Sequence, residues 1–394
     1  MRGVIQKRRE YLHLMRACTL EHGFFTITDI QRGTSVPRST AQDWINRLLD
    51  EGCVVIRERK MGRNPAKYAA ISAIPSSACR RIFTTIDGDR VEIHHDCLSS
   101  ANAAFCAYHH THAGGVIENV RRDGTLIREW AHLGHRDVDI GLHPAAAVGV
   151  AGIERDGEDL VQHIRCIGGP AYSLTDMMSH AGGVCDVSIQ RSGDIVEGSV
   201  RTKALTHVIA GIDDTDNRER GATFALSLAL LQHLETMKGV LPISHHVAML
   251  NPAVTRKTAG NSCSYIEIAM PKGSYTRVKE RALNFVEDES LSPEWGMAFK
   301  QGFIIPPSLR AYGERARREV ITREEAEAIA TEHGIEIYGG FGVVGALAAV
   351  ALSGLPHEIL LRAEARVPDS FPGTRRKENL SRHNPGSHGN TRSL

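Results

Sequence analysis

The sequence predicts a multidomain protein of mixed α/β and α+β class: a small N-terminal module of three helices and a hairpin, an α+β middle, and an α/β C-terminal domain. Three observations predict it. The first 73 residues carry thirteen basic against seven acidic side chains, a balance of +6, while the whole chain stands at +1. The next stretch mixes short strand-like runs with glycine turns and dense histidine. The last part opens on a β-branched run, Thr206-His-Val-Ile-Ala210, that ends in Gly211-Ile-Asp-Asp-Thr-Asp216. The expected boundaries are residues 1–75, 76–203 and 204–365, followed by a disordered basic tail at 366–394.

With 394 residues, the chain is long enough for two or three separate cores. Its 42% hydrophobic and 24% charged residues fit a soluble globular protein. No apolar run reaches membrane-span length, and the basic start is not followed by a signal-peptide core. A cytoplasmic protein with no membrane partner is therefore expected. Its eight cysteines (Cys18, Cys53, Cys79, Cys97, Cys106, Cys166, Cys185 and Cys263) are scattered singly, without a CxxC pair. That favours reduced thiols over a disulfide frame or a zinc ribbon.

In the N-terminal module, Lys7 to His22 shows helical apolar spacing at Leu12, Met15 and Leu20, with Gly23 placed as a C-cap. Phe24-Phe25-Thr26-Ile27 leads to a second helix from Thr28, closed near Gly33. Ser35 to Thr40 turns into a third helix that buries Ala41, Trp44, Ile45, Leu48 and Leu49 and stops at Gly52. Cys53–Ile56 and Lys67–Ala70 then flank a basic tip, Arg57 to Pro65, as two strands. Helix, helix, helix, wing is the winged helix-turn-helix order, and the segment resembles the winged domains of archaeal and bacterial transcription regulators. In that geometry the third helix enters the major groove. Arg38, Ser39, Thr40, Gln42, Asp43 and Arg47 would meet bases and phosphates, and Arg57, Arg59, Lys60, Arg63 and Lys67 would neutralise phosphates. Duplex DNA, or RNA, is the expected partner of residues 1–75. The alternative is a winged domain used for protein contacts, its charges solvated.

Pro75-Ser76-Ser77 reads as a linker. Strands are expected at Arg90–Ile93, Gly115–Glu118 and Leu126–Trp130. His94, His95, His109, His110, His112, His132, His135 and His143 lie here with Cys97 and Cys106 between them. Such a density of imidazole and thiol can ligate zinc or iron, although the spacing matches no standard site. A pocket for an anionic ligand, built from His109, His110 and the Gly114–Gly115 turn, is an equal reading. Ala145–Gly152 and Gly168–Pro170 read as backbone packed closely against a neighbour.

In the C-terminal domain the 206–212 run has the length of a buried strand. Asp213, Asp214 and Asp216 follow it at once, and a helix from Ala222 to Glu235 is expected to point Phe224, Leu228, Leu231 and Leu234 inward. Three carboxylates at a strand end repel one another unless a cation sits among them, and such hard oxygens suit Mg²⁺. The plain alternative is one aspartate capping the next helix and two solvated. Met249 to Asn261 sets Asn251, Arg256, Lys257, Thr258 and Asn261 in a loop ahead of a strand at Ser264–Ala269, where they can neutralise and orient a polyphosphate. Gly339, Gly340, Gly342 and Gly345 form a turn opening an apolar helix, whose N–H groups can bind an anion.

The motifs GIDDTD, LNPAVTRKTAGN and GGFGVVGALAAV resemble, in order and approximate spacing, the kinase-like domain of archaeal tRNA(Ile) agmatinylcytidine synthetase. The likeness covers roughly residues 205–353 and implies a kinase-like fold that cleaves ATP with Mg²⁺ and phosphorylates a cytidine carbonyl. Residues 90–270 resemble methanogenesis marker protein 11, an archaeal family without an assigned chemistry. The synthetase phosphorylates its own threonine in a Gly-Met-Cys-Thr run; here Gly221-Ala-Thr-Phe puts Thr223 one residue out of register. The synthetase also holds its tRNA with an OB-fold and a zinc ribbon, whereas only a short tail follows Ala365 here. Transfer of agmatine to tRNA is accordingly not expected.

The combined expectation is an archaeal ATP- and Mg²⁺-dependent phosphoryl-transfer or ATPase protein coupled to a DNA-binding winged helix. Asp213, Asp214, Asp216 and Lys257 would carry catalysis, the three aspartates holding the metal, and a homodimer is the expected assembly. The alternatives are a regulator that senses a nucleotide or metabolite without turnover, and an assembly factor whose motifs are relics.

Overall fold

The computed structural model describes residues 2–62, 64–73, 78–168, 177–258 and 260–365. The expected linker at Pro75–Ser77, the phosphate contact of Arg63, Gly169–Pro170 and the 366–394 tail lie outside the described residues. The chain divides into two compact units. One comprises Met1–Phe83, His94–Arg128 and Gly134–Thr202; the other comprises Thr84–Ile93, Glu129–Leu133 and Lys203–Leu394.

In the first unit, helices α1 (Arg2–His22), α2 (Ile27–Thr34) and α3 (Arg38–Asp50) precede strands β1 (Val54–Glu58) and β2 (Lys67–Ala70). The order is the expected one. α1 begins five residues earlier than its apolar spacing indicates and ends where Gly23 takes a φ of 78°. α2 starts in a capping box: Thr26 and Asp29 satisfy each other's backbone N–H groups. It closes near Gly33 as expected, at Thr34, with Ser35 in the left-handed region. Gly33 itself is held small, since a Cβ there would collide with Leu14. α3 buries Ala41, Ile45 and Leu48, while Trp44 is half-buried and stacks on Tyr11 at 4.9 Å. β1 and β2 pair antiparallel, Val54 opposite Ala70, and Phe25 bridges to Tyr68. Tyr11, Met15, Phe25, Ile30, Ile45 and Leu48 close a core of this module's own residues.

Farther along the first unit, helix α4 (Ser100–His112) is capped by the Ser99 side chain, which accepts from the Asn102 N–H. The sequence reading did not locate this helix. It packs against β5 (Ile117–Asp123) and β8 (Val148–Asp156). β5 starts two residues later than expected because Gly114 and Gly115 both take positive φ. A side chain on Gly115 would run into the Val150 carbonyl, and one on Gly149 into Ala113. This is the close packing read from Ala145–Gly152. β8 pairs with β9 (Asp159–Ile167), and β10 (Val184–Ser192) pairs with the first part of β11 (Ile195–Asp213). Strands β3 (Cys79–Asp87), β4 (Arg90–Cys97), β6 (Leu126–His132) and β7 (Gly134–His135) complete this stretch of sequence.

The second unit is built on an antiparallel sheet in the order β12 (Leu241–Met249), β13 (Ser262–Met270), β11, β14 (Gly296–Gln301), β15 (Glu336–Gly339). The last seven residues of β11 form its centre, and their alternation sets the two faces. Val208, Ala210 and Ile212 point to a core with α5 (Thr223–Glu235) and α6 (Tyr275–Glu289). Ile209 points to a core with α7 (Pro307–Ala316), α8 (Arg323–Glu332) and α9 (Val343–Ala351). Helices cover both faces of the sheet, but its strands run antiparallel, so the unit mixes helix and strand without the parallel sheet that the α/β expectation implied.

α5 buries Leu231 and Leu234 as expected but turns Phe224 and Leu228 outward. Thr223, Ser227, Leu230, Leu231 and Leu234 are buried, whereas Phe224 and Leu228 are 54% and 42% exposed. The cause is local: the Thr223 hydroxyl is tied to the strand-end loop, which fixes the phase of the first turn.

Candidate functional site

Ile212 and Asp213 are the last residues of β11, and Asp214 ends it with a φ of 56°. Aspartate is among the few side chains that accept the left-handed region, because its short polar arm meets little steric opposition there. The kink sets Asp213, Asp214 and Asp216 on one rim of a cavity of about 540 Å³. Thr215, buried, donates its N–H and its hydroxyl to Thr223 Oγ1, at 3.2 and 3.1 Å, and Thr223 Oγ1 donates to Asp216 Oδ1 at 3.1 Å.

The close approach of α9 is made by glycine. A Cβ on Gly211 would strike the Ala346 carbonyl, one on Gly296 the backbone at Gly342, and one on Gly345 the Asp213 carboxylate itself. The glycine turn therefore presses backbone against the acidic strand end. Gly342 and Gly345 line the cavity. Gly339 and Gly340 stand to one side, against Trp295 and Glu294. The N–H groups of Gly340 and Gly342 donate to the carbonyls of Trp295 and Glu294, both at 2.7 Å, and that of Phe341 donates to Glu294 Oε2 at 2.9 Å.

Arg256, Lys257, Thr258 and Asn261 line the same cavity with Val254 and Ser262. The Arg256 guanidinium sits 4.9 Å from the centre of the Phe341 ring. The Lys257 ammonium donates to the Pro252 carbonyl. Asn251 is buried and shapes the loop instead of facing the cavity: its Oδ1 accepts from the Ala253 N–H at 3.0 Å. Asn261 Nδ2 donates to the Asn251 carbonyl at 2.7 Å, holding the loop's two ends together. The cavity also takes in Thr223, Phe224, Glu319 and Phe341, none of which the sequence reading included as a ligand-facing group.

The cavity lining carries both charge signs, with Asp213, Asp214, Asp216 and Glu319 beside Arg256 and Lys257. Asp213 and Asp214 keep only part of their surface open. Burial pushes the Asp213 carboxyl well above its ordinary value, and the charges of Asp214 and Asp216 add to the effect. Asp214 is raised to about 6 by burial, then by Asp216 and Glu294, with Arg256 pulling the other way. Carboxylates held together at this cost fit a hard divalent cation, which would remove the repulsion.

In the winged module, Arg38, Ser39, Arg47, Arg59 and Lys60 are exposed, while Thr40, Gln42 and Lys67 are half-buried. Arg47 is engaged with Glu51 at 3.1 Å and lies over Trp44; Lys67 is engaged with Glu58 at 3.0 Å and lies over Phe24. Gln42 Nε2 donates to Asn46 Oδ1 at 2.9 Å. Among the described residues singled out, Arg38, Arg57, Arg59 and Lys60 are thus the exposed cations of α3 and the wing outside an ion pair.

Comparison with known proteins defines two classes of segment. Residues 11–73 match the model described as sugar-specific transcriptional regulator TrmB, and residues 209–303 match the TiaS TCKD domain. The chain resembles TiaS-like archaeal proteins and adds an N-terminal helix-turn-helix. An uncharacterized protein of Methanocaldococcus jannaschii is 30% identical over 188 residues, 45% of this chain and 61% of that one. The tRNA 2-agmatinylcytidine synthetase TiaS of Pyrococcus horikoshii is 32% identical over 167 residues, 40% of this chain and 38% of its own. The chain thus spans less than two thirds of the length of these curated relatives. A solved complex of TiaS with an isoleucine tRNA and ATP aligns at 22% identity and a TM-score of 0.35 over 37% of this chain and 36% of that one. Among the described residues no helix is long and apolar enough to cross a membrane.

Proposed function

We propose that residues 204–365 bind Mg²⁺–ATP and cleave its terminal phosphate, as a kinase-like phosphotransferase or an ATPase, and that residues 1–75 bind duplex DNA. The observation that carries the first part is the 540 Å³ cavity, which sets Asp213, Asp214 and Asp216 against Arg256, Lys257 and Thr258. Asp213 and Asp214 would hold Mg²⁺, with Asp216 poised by Thr223. The metal, when bound, supplies charge neutralisation for a polyphosphate and polarisation of the transferring group. Lys257 and Arg256 would neutralise phosphate oxygens, Thr258 would donate a hydroxyl, and Gly342 and Gly345 would let the phosphate chain approach the backbone. Phe341, already beneath Arg256, offers an apolar face for a base. Asn251 and Asn261 would act through the loop they hold. The match to the TiaS TCKD domain supports ATP as the nucleotide, TiaS having been solved with ATP and a tRNA.

The middle residues 76–203 would form the α+β domain linking the two activities, in a cytoplasmic homodimer of archaeal type. The likeness of residues 90–270 to methanogenesis marker protein 11 makes a methanogen the proposed setting. The match of residues 11–73 to a sugar-specific regulator favours one further reading: a nucleotide or metabolite sensor that alters DNA affinity without turnover. Nucleotide binding and phosphate release, measured with and without Mg²⁺ and duplex DNA, test both. Steady phosphate release that needs Mg²⁺ supports the enzyme. Binding without release, coupled to a change in DNA affinity, supports the sensor. Absence of Mg²⁺-dependent nucleotide binding refutes the enzyme and the nucleotide sensor.

A further inference from the structure

One side of α1 serves neither the core of the winged module nor its expected DNA contacts. Ile5, Arg9, Leu12, Arg16 and Leu20 follow one another at steps of three or four residues, so they share a side of the helix over roughly 22 Å. Tyr11, Met15 and Thr19 take the core side instead. An open groove of about 820 Å³ is lined by Arg9, Leu12, His13, Arg16 and Leu20 of α1, with Cys53 before β1 and Ile71 after β2. Leu20 is 64% exposed and Ile71 46%, and Ile5, one turn before Arg9, is 54% exposed. Aliphatic side chains left open together mark a surface that is covered by something else. The charge of the groove is one-sided. Arg8, Arg9, His13 and Arg16 line it and, among the described residues, no carboxylate does. Arg8 is engaged within the module, donating to Glu51 Oε2 at 2.7 Å and to Cys53 Sγ at 3.3 Å. Arg9 and Arg16 are exposed and enter no hydrogen bond or ion pair among the described residues.

We propose that this groove docks an acidic amphipathic helix of a protein partner, laid lengthwise along α1. Such a helix answers both features at once: its aliphatic side chains cover Leu12, Leu20 and Ile71, and its carboxylates pair with Arg9 and Arg16. This is helix-in-groove recognition, read through anchors three and four residues apart. The two arginines set the partner's register and reject cationic helices. A second copy of this chain does not fit, because pairing two α1 helices through this side sets arginine against arginine. Duplex DNA fits less well, since phosphates would satisfy Arg9 and Arg16 but leave the aliphatic side chains open to water. The groove also lies where α3 ends and the wing begins, at Cys53, whereas the expected DNA contacts fall on the first turns of α3 and the tip of the wing.

The test titrates the full chain into a fluorescent synthetic helix of about 18 residues, long enough to span the groove. The peptide carries leucines three and four residues apart with glutamates beside them, and binding is read by anisotropy. Saturable binding is expected, weakened at least about tenfold by Arg9→Glu with Arg16→Glu and by Leu20→Asp. The doubly reversed chain should instead bind the same peptide with lysine in place of glutamate, a swap that general loss of structure cannot produce. All three side chains lie outside the module's core, so melting temperatures should match the parent; if the reversed chain melts lower, Arg9→Gln with Arg16→Gln takes its place. A peptide of equal composition with its leucines scattered should bind at least about tenfold more weakly. Equal binding of the scattered peptide would reduce the groove to charge attraction and overturn the proposal. Absence of saturable binding to the amphipathic peptide overturns it too. If the reversed chain loses affinity for duplex DNA and not for the peptide, this side of α1 belongs to nucleic acid.

Discussion

Replacing Asp214 by asparagine probes the acidic strand end at the cost of one charge and almost no volume. Asparagine tolerates the left-handed backbone that Asp214 adopts at φ 56°, so the kink after β11 is preserved. In the wild-type chain the carboxyl is raised to about 6 by burial and by Asp216 and Glu294. Relative to an ordinary aspartate near 4, that amounts to roughly 3 kcal/mol, each pKa unit being about 1.4 kcal/mol. Asp214 keeps enough surface open for solvent to screen it, so an actual effect of about 1–2 kcal/mol is expected. The sign follows from the folded carboxyl titrating above the unfolded one. Below pH ~4 both states are protonated and the substitution changes nothing. As pH rises through about 6 the wild-type chain loses stability that Asp214→Asn retains, and above pH ~7 the variant should be the more stable by that full amount. With Mg²⁺–ATP present the order should reverse, since the variant lacks a metal ligand. Thermal unfolding from pH 4 to 8, with and without Mg²⁺–ATP, reads both effects; a gain of 1 kcal/mol corresponds to about 2–4 °C for a domain of this size. A variant equally stable at pH 8 and fully stabilised by Mg²⁺–ATP would refute the reasoning.

Lys257→Met should leave the ligand-free melting temperature within a degree or two while lowering ATP affinity at least about tenfold in calorimetry, as loss of a charge-assisted phosphate contact of about 1.5–3 kcal/mol requires. Destabilisation with normal affinity would make Lys257 a structural partner of the Pro252 carbonyl. Gly345→Ala places a methyl group on the Asp213 carboxylate; a loss of about 1–3 kcal/mol and of nucleotide binding together are expected, and an unaffected melting curve would contradict the close approach. Arg59→Ala with Lys60→Ala should reduce the slope of DNA affinity against salt by about two counterions, measured by fluorescence anisotropy, and an unchanged slope would remove the wing from the DNA interface.

Much of this was legible because local rules and tertiary demands agree. The 206–212 run is β-branched and apolar, and it became the central strand of the second unit. α3 and the wing followed from the spacing of Ala41, Ile45 and Leu48 and from the basic tip. What escaped the sequence depended on partners far along the chain. The inward side of α5 was misjudged because Phe224 and Leu228 are apolar, yet the Thr223 hydroxyl is held by Thr215 and Asp216 and turns both outward. Gly33 lies at the helix end as read, but its contact with Leu14, from another helix, was not legible. Asn251 and Asn261 looked like ligand donors, but their polar groups also have to satisfy a turning backbone. Arg47 and Lys67 looked like phosphate contacts, yet each found a carboxylate within reach.

The glycine seam between β11, β14 and α9 has a bearing on how a chain like this can change over generations. Gly211, Gly296, Gly342 and Gly345 meet backbone or the Asp213 carboxylate where any side chain would sit. No one of them can be enlarged unless the opposing segment moves as well, so single-step substitution along the seam is blocked. The loop that shares the cavity carries no such packing constraint at Ala253, Thr255 and Gly260, which are exposed and line it. Variation should therefore accumulate on one wall while the other stays fixed, letting the molecule that enters change while the acidic strand end persists. A saturation library scored for folding would show this as four intolerant positions opposite a permissive loop.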